Sequence, residues 1–400
     1  MHLAALRSYS GANIYIITSI TCVSICRHLV YTDLFRGQFW RADQKLSNST
    51  ANLSKSPEIV IIMPARNEEH TIGNSILSLL QQDYTGIMSI IVVNDNSNDN
   101  TVEVVELVSH GYDSVHLING SKTPNDWTGK LWSMAQGVKY AQKNFCHADY
   151  YLFSDADILH HPKNLNEIMA KALSENLALV SLMVKLQCSS VWERLLMPAF
   201  IFFFQKLYPF SLVNDKKKSN AAAAGGCMLV NCDDLQKAGG LTKIKSAIID
   251  DCRLAALLKQ TNRIWIGLTK STKSLRKYQS FSDVSRMVSR TAFVQLNFSG
   301  LNLFFALTGM LILYIIPVVS ILVGIVTKDL ILLALGLMGW VTMSFAYIPT
   351  LKFYNRPIRE TSLLPIAALL YSYMTIVSAW QYTFGKTPTW KDRSMRKIEK

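Results

Sequence analysis

A mostly parallel α/β sheet covered by helices on both faces, tied to a membrane-embedded block, is the architecture this 400-residue sequence predicts. Three observations carry that expectation. Between residues 55 and 300, short apolar runs alternate with stretches of helical periodicity, as they do where parallel strands are buried on both faces. Two of those runs end abruptly on acids: IVVNDNSNDNT (91–101) on Asp95 and Asp99, and YYLFSDADILHH (150–161) on Asp155 and Asp157. From residue 301 to 385 nearly every residue is apolar, apart from TKD (327–329) and KFYNRPIRE (352–360).

Each element follows from the residues in turn. GANIYIITSITCVSIC (11–26) is an apolar run broken by Arg27 and His28, with no small-x-small cleavage site before FRGQFWRAD, so residues 1–35 read as an uncleaved N-terminal membrane anchor. EIVIIM (58–63) predicts a buried strand. Residues 68–81 predict a helix with Ile72, Ile76, Leu79 and Leu80 inward. MSIIVVN is the next strand, 99–109 a helix, SVHLI (114–118) a strand, 130–143 a helix and YYLFSD a strand. Helix 163–173 and strand LALVSLMV (177–184) complete the pattern. In such sheets ligands bind beyond the carboxyl ends of the strands, where Asp95, Asp155 and Asp157 stand.

Residues 191–210, VWERLLMPAFIFFFQKLYPF, predict either a buried helix or, preferably, one lying at the membrane interface, because Phe202 to Phe204 flanked by Lys206 and Tyr208 suit a headgroup boundary. The following NDKKKSNAAAAGG reads as a mobile loop. Stretches 301–326 and 330–351 each exceed the roughly 20 residues needed to cross a bilayer. Residues 361–385 are long enough but carry Pro365, Ser372, Ser378 and Gln381. The domain division is therefore anchor 1–35, catalytic domain 55–300, membrane region 301–385 and basic tail 386–400.

The formal net charge of +13 does not form an interleaved aromatic and basic face, so a nucleic-acid partner is set aside. The cations cluster at Lys216–Lys218, Lys270–Lys277, Lys352–Arg359 and the tail, as expected of segments facing an anionic cytoplasmic leaflet. The expectation is an integral protein of the cell inner membrane with its catalytic domain in the cytoplasm. Three crossing C-terminal segments would place the tail outside, whereas its six lysines and arginines argue that it is inside. Either 361–385 is re-entrant or another segment does not cross; the charge predicts a cytoplasmic tail. Seven irregularly spaced cysteines without a CxxC pattern indicate reduced thiols rather than a disulfide framework or a zinc site.

Asp155 and Asp157 offer hard oxygen ligands of the kind Mg²⁺ or Mn²⁺ takes alongside substrate phosphates, although an Asp-x-Asp alone reads as a solvated turn. His160 and His161 follow it and read as surface-loop residues, with a metal contact by one of them as the alternative. Asp250 and Asp251 are either catalytic acids or helix N-terminal residues favoured by the dipole. Arg290 either serves the site or flanks the membrane with Arg286. Gly225–Gly226 is an ordinary turn or a place where the acceptor needs close approach of backbone, and Trp127 and Trp132 read as packing rather than as sugar platforms. A nucleotide-binding dehydrogenase is disfavoured, because the turn after the first strand is PARNEE, not Gly-x-Gly-x-x-Gly.

In order, MPARNEEHTI, VVNDNSNDNT, SDAD, AIIDD and RMVSRTAF resemble the inverting glycosyltransferases of family 2, which have the GT-A fold, over about residues 58 to 300. GQFWRAD, DWTGKLWS, AAAAGGCMLVN, AIIDDCRLA and SRTAFVQL resemble the hopanoid-associated branch. The resemblance implies a set of roles. Asp95 would bind the uracil ring, Glu68 and the backbone near Ala65 the nucleoside, Asp155 the ribose and sugar, and Asp157 the metal bridging the diphosphate. Asp251 would be the base, Asp250 the acid before it, and Arg290 the arginine of a Gln-x-x-Arg-Trp motif. Trp390, Lys391 and Arg393 resemble a tail motif that reaches the diphosphate. Arg290 and Lys130 are suited to stabilise the departing diphosphate. Met287 and Thr291 stand where that motif has Gln and Trp, which argues against a processive polymer synthase.

The function so implied is single transfer from a UDP-sugar to a lipid-like or polyisoprenoid acceptor, in hopanoid or glycolipid synthesis, with Mg²⁺ or Mn²⁺. The rivals are a processive polysaccharide synthase or polyprenyl-phosphate sugar transferase and, from another class, a non-catalytic scaffold that keeps a sugar-nucleotide fold.

Overall fold

The computed structural model describes residues 36–46 and 56–385, and the backbone of 389–390 and 393–394. The expected anchor 1–35 and most of the tail 386–400 lie outside the described residues.

An eight-stranded sheet organises the chain, in the order β3-β2-β1-β4-β7-β6-β8-β5. Its strands are β1 (Ile59–Ala65), β2 (Met88–Asn94), β3 (Val115–Asn119), β4 (Tyr150–Ser154), β5 (Ile158–Leu159), β6 (Leu177–Lys185), β7 (Cys227–Asn231) and β8 (Arg263–Ser274). β1 pairs in parallel with β2 (Ile61 opposite Ile90) and with β4 (Ile61 opposite Leu152). β7 lies antiparallel between β4 and β6, and β6 pairs in parallel with β8. The continuous apolar run of β1 is buried at every position, as a strand covered on both sides requires.

Period-two alternation sends β1 into two cores. Ile59, Ile61 and Met63 pack with Ile72, Ile76 and Leu79 of helix Ile72–Leu80 and with Ile168 of helix Asn164–Glu175. Val60 and Ile62 face the other way, onto Leu131 and Met134 of helix Gly129–Asn144, in a cluster that also takes Leu254 and Leu258 of helix Asp250–Leu258. Each such aliphatic side chain contributes about 1.5–3 kcal/mol through burial. Gly137 lets the Gly129–Asn144 helix approach: a Cβ there would fall 2.4 Å from Ile62 Cγ2, so Gly137→Ala forces the helix off the sheet at a cost of about 1–3 kcal/mol.

Among the described residues, three helices are long and apolar enough to cross a membrane: Gly300–Thr327, Leu330–Phe353 and Ile358–Thr383. The first contains a π-helical turn at Leu311–Ile315. The third is the most enclosed by protein, which accounts for its polar residues; Ser378 Oγ, for example, accepts the Phe293 amide at 3.0 Å. Helix Val191–Leu207 begins with a Ser190/Glu193 capping box and packs against the second and third of these helices. Phe202, expected at a headgroup boundary, is instead enclosed with Tyr347, Tyr371 and Leu196, because the membrane helices cover it. The segment read as a mobile loop is also largely fixed. Lys216–Lys218 are exposed, but Ala222 and Ala223 are buried, and Lys259 Nζ donates to the carbonyls of Val213 and Asn220 at 2.6 Å.

Candidate active site

Three strand ends and one helix start converge on a cleft of about 1900 Å³. β1 runs into Pro64, Arg66 and Glu68, β4 into Asp155 and Asp157, β8 into Ser274 and Arg276, and helix Asp250–Leu258 opens with Asp250 and Asp251. Lys130, in the first turn of helix Gly129–Asn144, completes the charged floor.

The four carboxylates are not equivalent. Asp155 Oδ1 lies 2.9 Å from Lys130 Nζ, and Asp157 Oδ2 lies 2.9 Å from Arg276 Nε and 3.3 Å from Ser274 Oγ. Lys130 Nζ is also 3.2 Å from Asp250 Oδ2, close enough for charge attraction but outside hydrogen-bond geometry, so that buried oxygen is held by charge alone. Asp251 accepts two backbone amides, Gly225 N on Oδ2 at 2.9 Å and Cys252 N on Oδ1 at 2.7 Å, with no cation in contact. Burial, reinforced by the Asp250 charge and opposed by Lys130, pushes the Asp251 carboxyl up to about 6. Burial also raises Asp155 above the ordinary carboxylate range, against the pull of Lys130. Lys130 itself pays desolvation, yet Asp155 and Asp250 hold it charged, above an ordinary lysine.

Gly225 has room for no side chain without disturbing this arrangement: an added Cβ would sit 3.0 Å from Lys130 Nζ and 3.4 Å from Asp251 Oδ2. Asp250 and Asp251 do occupy the first helical turn, but Asp251 is raised rather than lowered, so the dipole is outweighed there.

Other expected residues fall as follows. Asp95 is fully enclosed at the end of β2 and does not line the cleft; its amide donates to Ala65 O at 2.7 Å. Arg66 reaches across with Nη1 to the carbonyls of Asp95 (2.6 Å) and Asn96 (2.8 Å), so Arg66 and Glu68 are what the cleft meets. Asp99 caps the next helix through Thr101 and is held low by hydrogen bonds, although burial opposes this. Arg290 and Arg286 both line the cleft; Arg286 is exposed and paired with Asp283 at 2.7 Å. The backbones of Trp390 and Arg393 pair as an antiparallel bridge, and their side chains lie outside the described residues.

His160 is a correction. It is buried between Ser154 Oγ (2.9 Å) and Asn164 Nδ2 (3.1 Å), with its pKa lowered by desolvation to about 3, so it is a neutral structural group and not a surface-loop residue. His161 is exposed, as expected. Trp127 and Trp132 pack edge to face at 5.2 Å, and Trp132 Nε1 donates to Ser121 O.

Arg276 was not expected. Its Nη2 also lies 2.8 Å from Glu68 Oε1, so it ties the end of β1 to the Asp-x-Asp turn. Only the basic run from Lys270 to Lys277 signalled it, and that run reads equally as a membrane flank. Its segment is fixed by the helix cap, because Glu193 Oε1 accepts the Tyr278 amide at 2.7 Å and Ser190 Oγ donates to Tyr278 O at 2.9 Å.

The donor set suits a hard divalent cation. Asp155 and Asp157 present adjacent carboxylates, and no group of three or more metal-binding side chains exists among the described residues, so diphosphate oxygens would have to complete the coordination.

Away from the carboxylates the same cleft turns apolar. Phe200, Phe203 and Leu207 line it from helix Val191–Leu207, and Phe305, Met310 and Leu313 from the first membrane-type helix.

Residues 60–239 match the family model described as Glycosyl transferase family 2. A 125-residue stretch is 34% identical to 4,4'-diaponeurosporenoate glycosyltransferase of Staphylococcus aureus (strain N315), covering 31% of this chain and 30% of that protein. Over 107 residues it is 33% identical to Probable glycosyltransferase YdaM of Bacillus subtilis (strain 168), covering 26% of this chain and 24% of that one. The matches thus span under a third of the length of these curated relatives. Mannosyltransferase PcManGT from Pyrobaculum calidifontis, solved in complex with GDP-Man and Mn²⁺, aligns with a TM-score of 0.52 at 13% identity, covering 89% of this chain and 97% of that one. The fold is GT-A, with three membrane-type helices at its C-terminal end.

Proposed function

We propose that this chain is an inverting glycosyltransferase that moves one sugar from a UDP-sugar to an alcohol on a lipid-like acceptor at the cytoplasmic face of a membrane. The observation that carries this reading is the single cleft whose floor is charged and whose wall is built by membrane-type helices. A nucleotide diphosphate suits the floor, and a long apolar tail suits the wall. The family match over residues 60–239 supports glycosyl transfer as the chemistry, and the S. aureus relative, by its name, acts on a diaponeurosporenoate. Hopanoid and other polyisoprenoid or glycolipid alcohols are acceptors of the required shape.

The acceptor oxygen attacks the anomeric carbon, the bond from that carbon to the β-phosphate oxygen breaks, and the acceptor proton passes to Asp251. The nucleoside diphosphate leaves with the electron pair. A carboxyl raised to about 6 is ionised at neutral pH yet basic enough to accept that proton. Charge gathering on the diphosphate is met by Lys130 and Arg276 on the floor and by Arg290 beside it. A Mg²⁺ or Mn²⁺ ion held by Asp157, with Asp155 beside it, would supply further neutralisation of the diphosphate. Glu68 and Arg66 stand at the nucleoside end of the floor, over the enclosed Asp95 and Ala65. Trp390 and Arg393, on the short hairpin that follows the membrane helices, belong in this proposal as closing contacts to the diphosphate.

The test is transfer by the full chain in lipid, with a panel of UDP- and GDP-sugars carrying a labelled sugar and with chelator in parallel. The expected result is label from a UDP-sugar in the organic extract, with release of UDP. Label in a water-soluble polymer would favour the processive reading. Absence of both turnover and nucleotide binding would favour the scaffold.

A further inference from the structure

A second cavity, of about 420 Å³, lies between the N-terminal segment and the helix Leu330–Phe353. Four cations line it, Arg41, Lys45, Lys270 and Lys352, and no carboxylate among the described residues does. All four side chains are exposed. They come from three distant parts of the sequence, and specific contacts bring them together. The backbone of residues 44–46 pairs with the middle of β8, through Leu46 N to Leu268 O at 3.1 Å and Leu268 N to Gln44 O at 2.8 Å, which sets Lys45 near Lys270. Trp40 packs on Phe345 of the membrane-type helix at 5.3 Å, and Lys270 Nζ lies 5.7 Å from the Phe353 ring centre. Lys352 sits in the last turn of that helix, where a cation also suits the dipole.

Like charges gathered around one cavity raise the local positive potential, and an anion bound there relieves their repulsion. The repulsion reaches a neighbour: burial, together with Lys270 and Lys273, lowers Lys185 below an ordinary lysine. The place of the cavity narrows the choice of anion. A Trp–Phe contact and the end of an apolar helix form its rim, the arrangement found at a headgroup boundary, where each lysine or arginine adds to attraction for anionic lipid.

We propose that this cavity is a binding site for the phosphate headgroup of an anionic membrane lipid, separate from the catalytic cleft. The Trp40, Phe345 and Pro349 wall takes the upper acyl region, and the four cations take the phosphate. Occupancy fixes the catalytic domain against the membrane by linking residues 40–45, β8 and the helix end.

The experiment is native mass spectrometry of the full chain in detergent, titrated with phosphatidylglycerol or phosphatidylcholine. The site predicts preferential retention of phosphatidylglycerol by roughly tenfold or more, and the Lys270→Gln, Lys352→Gln double variant should lose most of that preference. The Lys270→Arg, Lys352→Arg variant should keep it, which separates charge loss from misfolding. Should the glutamine double variant fail to fold, Arg41→Gln on the exposed segment makes the same test. Neutralising Lys216, Lys217 and Lys218, which are equally basic but line neither this cavity nor the catalytic cleft, should change the preference less than twofold. Equal retention of both lipids, equal loss in the Lys216–Lys218 variant, or complete displacement of lipid by inorganic phosphate would overturn the assignment. Nucleotide-sugar binding, followed on the same samples, reports the cleft separately.

Discussion

The two acidic pairs in the cleft are built differently, and the difference separates binding from chemistry. Asp155 and Asp157 leave a strand, and each is in direct contact with a cation at 2.9 Å, Lys130 and Arg276 respectively. Asp250 and Asp251 open a helix; Asp250 shares Lys130 with Asp155, at 3.2 Å, and Asp251 pairs with no cation among the described residues. Asp251 is left with two backbone amides and a neighbouring negative charge, so its carboxyl is raised to about 6. Burial raises Asp155 as well, but its contact with Lys130 opposes that rise and ties the carboxylate down, whereas Asp251, held only by amides, is placed to take a proton.

The largest effect expected from breaking this contrast is at Asp251. Asp251→Asn keeps the volume and removes the basicity, and turnover should fall about 10²–10⁴-fold in steady-state assays, with little change in donor affinity. A fall of less than tenfold would point to an acceptor that arrives already ionised and needs no base. Next is Arg276→Gln, which leaves Asp157 and Glu68 without their shared counter-ion. Donor binding and turnover should both weaken, by about 10²-fold in kcat/KM, whereas Arg276→Lys should recover part of this.

A pH profile sharpens the comparison without mutation. Asp251 works ionised, so kcat/KM should decline as pH drops below about 6, approaching tenfold per unit, and level off above it. Donor binding should hold across that range, because Lys130 keeps its charge. The smallest effect is at Gly225, which sits against Lys130 and Asp251. Gly225→Ala places a methyl 3.0 Å from Lys130 Nζ, and a loss of about three- to tenfold in kcat with an unchanged melting temperature is expected.

Much of this was legible in the residues. The strands Ile59–Ala65, Met88–Asn94 and Leu177–Lys185 follow directly from apolar runs, because strands buried on both faces leave no other pattern. β7 and β8 were not foreseen as strands. β7 is five residues inside a motif dominated by alanine and glycine, and β8 mixes lysine, threonine and serine into its second half. The acids Asp155, Asp157, Asp250 and Asp251 do meet in one cleft, and their order along the chain is what pointed there. Arg276 was hidden because a lysine-rich stretch beside membrane helices has an equally good explanation in headgroup attraction. His160 misled for a related reason: nothing in HH after an Asp-x-Asp tells that one imidazole turns inward to Ser154 and Asn164. Burial of Phe202 depended on the distant helices Leu330–Phe353 and Leu364–Thr383, which periodicity within 191–210 cannot report.

The central claim is that the two acidic pairs have different tasks, and one crossed measurement tests it most directly. Calorimetric titration of wild type, Asp157→Asn and Asp251→Asn with the active nucleotide sugar, each paired with transfer of label into lipid, compares binding and chemistry on the same proteins. The account predicts that Asp251→Asn binds the donor within about threefold of wild type and transfers almost nothing, and that Asp157→Asn loses donor affinity by about tenfold or more. Equal loss of binding in both variants, or sustained transfer by Asp251→Asn, would contradict it.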